Sequence, residues 1–80
     1  MSGIEKRAAR RRVVNRNVRL RWSVAEMPAI VRNSSADGAM LIVNAALAPG
    51  AKATILSDAR EIPVTVMWSR DGYVGVQFDR

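Results

Sequence analysis

Cysteine and histidine are both absent from this chain of 80 residues, and each absence removes a class of chemistry. Without cysteine there is neither a disulfide framework nor a thiolate metal site, and the lack fits a reducing compartment. Without histidine the usual zinc sites and imidazole acid–base catalysis are excluded. Aromatic residues are scarce: Trp22, Trp68, Tyr73 and Phe78 are the whole set. No apolar run approaches the roughly 20 residues that span a bilayer. The start, Met1-Ser2-Gly3-Ile4-Glu5, leads into arginines and not into a hydrophobic signal core, so export is not expected. These absences lead to the expectation of a soluble cytoplasmic protein without membrane insertion.

What is present is a chain with 49% apolar residues, enough for one compact core near the small end of what folds unaided. The net charge of +6 is unevenly spread. Lys6, Arg7, Arg10, Arg11, Arg12, Arg16, Arg19 and Arg21 crowd the first quarter, opposed there by Glu5 alone. Such a cluster either attracts a polyanion (nucleic acid, an anionic membrane, a phosphate-bearing small ligand) or serves as a solvated tail.

Residues 1–15 show no sustained apolar period and are expected to form a flexible basic arm, leaving residues 16–80 as the folded domain. From Asn17 the pattern is β: Val18, Leu20 and Trp22 alternate with Arg19, Arg21 and Ser23, the period-2 signature of a half-buried strand. Further strands are expected over residues 27–32, 39–43, 51–56, 62–68 and 73–78. Asn33-Ser34-Ser35-Ala36-Asp37-Gly38, Ala48-Pro49-Gly50, Ser57-Asp58-Ala59-Arg60 and Asp71-Gly72 supply the turns. Val64, Val66 and Trp68 should share one face of the fifth strand, and Val74, Val76 and Phe78 one face of the sixth. Six short strands with tight connections predict an all-β fold, a small six-stranded antiparallel β-barrel, closed or nearly so, which also removes exposed edges.

Catalysis is not expected. The acids Glu5, Glu26, Asp37, Asp58, Glu61, Asp71 and Asp79 show no spacing that pairs carboxylates, the serines have no histidine partner, and no glycine-rich phosphate loop precedes a helix. Binding is better served. Arg7 and Arg11 each offer a planar fork to a phosphate or to the O6/N7 edge of guanine. The 33–38 turn adds the amide of Asn33 and the hydroxyl of Ser35, and Gly38 permits either positive φ or close backbone approach. Taken singly, the turn is equally ordinary scaffolding and the arginine pair an ordinary tail.

Together, in this order and setting, they resemble the PilZ domain family of small bacterial β-barrels that bind the second messenger cyclic di-GMP. That family carries R-x-x-x-R before its first strand, matched by Arg7 and Arg11. It carries [D/N]-x-S-x-x-G between its second and third strands, matched by Asn33, Ser35 and Gly38. Val14-Asn15, Val18-Arg19-Leu20, Leu47-Ala48-Pro49-Gly50, Val66-Met67-Trp68 and Val74-Gly75-Val76-Gln77-Phe78 extend the similarity over nearly the whole chain. The resemblance implies that Arg7 and Arg11 clamp the phosphates and guanines, that Asn33 and Ser35 hydrogen-bond to the ligand, and that Gly38 shapes the turn. Arg12 and Ser34 stand where the family usually has apolar residues, and Asp37 puts a carboxylate near the expected anion. The chain stops straight after the expected sixth strand, where the family often has a following helix, so another element or a partner is expected to cover that surface.

Secondary contacts are expected from Lys6, Arg10 and Trp68. Lys6 and Arg10 either admit a second, stacked ligand or add general attraction. Trp68 either stacks on a guanine or caps the barrel core, and the face it shares with Val64 and Val66 favours the cap. The expected function is a cyclic di-GMP receptor, with no cofactor beyond that ligand, signalling through ordering of its arm and contact with a downstream protein partner. The rival readings are a nucleic-acid-binding barrel and a ligand-free interaction module. Nucleic acid is set aside because single-strand binders usually supply several stacking aromatics, and alternation points most of the four here inward.

Overall fold

The computed structural model describes residues 12–79. Among them are six strands and no helix: β1 (Arg12–Trp22), β2 (Ala25–Ser34), β3 (Gly38–Val43), β4 (Lys52–Ser57), β5 (Arg60–Arg70) and β6 (Tyr73–Phe78). Every pairing is antiparallel, and the strands close in the order β1-β2-β3-β6-β5-β4. This is the all-β barrel that the alternating pattern predicts.

The inward set is aliphatic. Leu20, Leu41, Val43, Val64, Val66 and Val74 are fully buried, joined by Val18, Ala29, Val31, Ala39, Leu47, Ala53, Ile55 and Val76. Each fully buried leucine or valine stabilises the fold by roughly 1.5–3 kcal/mol relative to exposure. Trp22 and Phe78 pack against this core from its ends. Outward on β1, Arg19 bonds Glu26 at 2.9 Å and Arg21 bonds Glu61 at 3.3 Å; exposed pairs of this kind contribute about 0–1 kcal/mol.

Strand edges differ from expectation in three places. β1 begins at Arg12 and not at residue 17, so residues 12–15, assigned from sequence to the arm, are strand; the remainder of that arm lies outside the described residues. The pairing of β1 with β2 skips between Val13 and Arg16, and Asn15 sits there at φ 53°, a left-handed conformation that asparagine tolerates. This bulge breaks the period-2 pattern and hides the first part of the strand. β2 and β5 likewise run two residues beyond the expected spans at each end. Arg60, expected in a loop, pairs with Ser57 across a two-residue turn that Asp58 makes at φ 56°.

Closure is uneven around the barrel. β1 meets β4 through three residue pairs only, Arg19 with Leu56, Leu20 with Ile55 and Arg21 with Thr54. On the other side of β4 a polar clasp ties the start of β4 to the middle of β5 and to Asp79, the residue after β6. Lys52 Nζ donates to Thr65 Oγ1 at 2.8 Å and to Asp79 Oδ2 at 3.2 Å, and Thr65 Oγ1 donates to Asp79 Oδ1 at 2.7 Å.

Candidate functional site

The 33–38 turn is a fixed rim and not a loose loop. The Ser35 backbone N–H donates to the Gly38 carbonyl at 2.8 Å, the Asp37 N–H donates to Ser35 Oγ at 3.3 Å, and the Phe78 N–H donates to the Asp37 carbonyl at 2.8 Å. The turn is thus closed on itself and fastened to β6. Gly38 is buried at the head of β3, where a β-carbon would collide with the backbone carbonyl oxygen of Val76. Of the two roles open to this glycine, the structure uses close backbone approach.

Two further bulges decide which side chains face out beside this rim. The β2–β3 register shifts between Val31 and Asn33, and the β5–β6 register shifts between Val66 and Trp68. A bulge inserts one residue and reverses the facing of all that follow. Val31 points into the core, yet Asn33 pairs with Met40 on the outer face. Val66 points in, yet Trp68 pairs with Gly75 on the outer face, 42% exposed. The inward cap expected of Trp68 is therefore wrong: its period-2 kinship with Val64 and Val66 is broken at Met67. The aromatic set as a whole is likewise split evenly, since Tyr73 is 37% exposed while Trp22 and Phe78 pack on the core.

Because Met40 also pairs with Gly75, the two bulges align Asn33, Met40, Gly75 and Trp68 in one row across four adjacent strands. That row floors an open cleft of about 470 Å³, walled by Ser35, Asp37 and Gly38 at one end and by Met67 and Trp68 at the other. Such a volume is in the range of small-molecule sites. Gly75 keeps the floor low, for the Trp68 indole lies where its side chain would be.

Of the residues singled out from sequence, Asn33, Ser35, Gly38 and Trp68 meet in this cleft. Arg7, Arg11, Lys6 and Arg10 lie outside the described residues. The chain nevertheless enters the barrel beside the rim: Arg12 pairs with Ser34, and Val13 with Asn33. Sequence reasoning missed Met40 and Gly75; the signal for the latter was a glycine inside a strand, which often marks close approach by another group.

A model of the PilZ domain family matches residues 5–80 of the chain, spanning both motif positions and all six strands. The chain belongs to the PilZ domain family. No curated protein matches it. PilZ domains are receptors for cyclic di-GMP and are generally not catalytic. In this PilZ barrel no group of three or more metal-binding side chains occurs among the described residues, and among them there is no helix long and apolar enough to cross a membrane.

Proposed function

We propose that this chain is a cyclic di-GMP receptor that holds its ligand in the cleft between the 33–38 turn and Trp68. The observation carrying this reading is the row Asn33, Met40, Gly75, Trp68, with the start of β1 paired to the same turn. It supports a division of labour. Arg7 and Arg11 supply bidentate, charge-assisted bonds to the phosphates and guanine edges. The Asn33 amide and the Ser35 hydroxyl bond the ligand's rim side. Trp68 offers an exposed ring face to a guanine, and Lys6 and Arg10 add attraction. The protein acts without chemistry of its own: engagement of the arginines orders the chain before β1 over the cleft, and the surface so formed is read by a protein partner.

Isothermal titration calorimetry with cyclic di-GMP, and with GMP as control, tests the reading. Saturable binding of the cyclic dinucleotide that is lost in Arg11→Ala supports it. A folded protein that takes up no cyclic di-GMP overturns it and leaves the ligand-free interaction module.

A further inference from the structure

On the far side of Trp68 the same outer face carries a second cleft, of about 320 Å³, lined by Arg32, Met40, Trp68, Arg70, Asp71 and Tyr73. Its two arginines have no carboxylate partner among the described residues, and they face a single carboxylate, Asp71. Its two aromatics are the two exposed ones of the chain's four. Gly75 pairs with Trp68 and Tyr73 with Arg70, so the two rings stand diagonally on neighbouring strands. Diagonal neighbours of this kind lie about 7–8 Å apart.

We infer that this face binds single-stranded nucleic acid, with Trp68 and Tyr73 as stacking platforms and Arg32 and Arg70 on the phosphates. That separation of the two strand positions is about twice the 3.4 Å rise per nucleotide of a stacked strand. Unstacked bases of a single strand can splay to reach both exposed rings, whereas a duplex keeps its bases stacked and paired. Exposed aromatics among cations on a sheet face suit this ligand, because every base has a π-face and every nucleotide a phosphate. The chain's +6 charge repels a second copy of itself and draws a polyanion. The ground on which nucleic acid was set aside from the sequence, inward-pointing aromatics, does not hold for Trp68 and Tyr73.

Trp68 walls both clefts. If the proposed cyclic di-GMP site is right, the two ligands compete for this one ring, and the messenger releases the strand. Only that competition rests on the proposed function; strand binding by the outer face does not.

The test is fluorescence anisotropy of a labelled oligouridylate of about ten nucleotides with the full chain, across a salt series and with added cyclic di-GMP. Saturable binding is expected, with log K falling against log salt at a slope near −1.4 for two phosphates. Tyr73→Ala should weaken it about tenfold and leave cyclic di-GMP binding unchanged. Arg70→Ala should flatten the slope by about 0.7. No saturable binding overturns the inference and turns the face toward a protein partner. Binding unaltered in Tyr73→Ala and Arg70→Ala overturns it as well, since the basic N-terminal cluster alone would then be responsible. Oligonucleotide binding without any cyclic di-GMP binding would sink the proposed function and leave this inference standing.

Discussion

The indole of Trp68 rests on the Cα of Gly75, its ring nitrogen and adjacent carbons filling the position a β-carbon at residue 75 would take. The ring is displaced from the core by the bulge at Met67 and received by the one residue type that leaves room for it.

Gly75→Ala should therefore move the ring without breaking the barrel. The obstacle is an exposed side chain that can swing toward solvent, so the stability loss should stay near the lower end of the 1–3 kcal/mol typical of overpacking. Cyclic di-GMP affinity should fall about tenfold, as for loss of one stacked base. Urea denaturation and calorimetry on the same sample check both; wild-type affinity with a displaced tryptophan emission would remove Trp68 from the site.

Gly38→Ala makes the opposite case. Here the obstacle is the Val76 carbonyl, backbone that belongs to the core and cannot rotate aside. We expect a loss of about 3 kcal/mol or more, read as a lower urea midpoint, and ligand binding that fails because the rim is no longer formed. A midpoint equal to that of Gly75→Ala would contradict this account of why the motif ends in glycine.

Arg7→Ala and Arg11→Ala should leave the unfolding midpoint unchanged, because the barrel core is built of aliphatic side chains from the strands. A charge-assisted hydrogen bond contributes about 1.5–3 kcal/mol, so each substitution should weaken cyclic di-GMP binding by about 10- to 150-fold. Either variant binding at full strength would remove that residue from the clamp.

The Lys52, Thr65 and Asp79 clasp sets an acid limit. Asp79 is held below its ordinary carboxylate value, first by the hydrogen bond from Thr65; desolvation opposes this in part, and the hydrogen bond and charge of Lys52 lower it further. A carboxyl depressed in the folded state stabilises the fold above its unfolded value of about 4, and that contribution is lost as pH falls through the lower folded value. Wild type should exceed Asp79→Asn in stability at neutral pH, with the gap closing below about pH 4. An equal gap at pH about 3 and at neutrality would show that the clasp acts by shape and not by charge.

Strand positions were legible where inward and outward residues alternate without interruption. β3 and β6 came within a residue of their observed spans, and the Asp71-Gly72 turn adopts φ 53° and 82°, as such a pair demands. What the sequence could not reveal were the three bulges. A bulge is settled by which backbone groups pair across strands, and no side chain announces it. Trp68 was misplaced for that reason, and so was the start of β1. The candidate cleft was half legible: Asn33, Ser35 and Gly38 carry a motif, whereas Met40 and Gly75 enter it only because registers on β3 and β6 happen to align with both bulges.

The short seam between β1 and β4 has a mechanical consequence. From Arg12 to Val18, β1 is bonded to β2 but, among the described residues, not to β4. A tug on Arg12 is met one rung at a time, as when tape is peeled from a surface. The same tug on β6, gripped by β3 and β5 along its length, must shear two ladders at once. The barrel can thus yield at the strand that follows the arginine motif in sequence while the neighbouring strands stay locked.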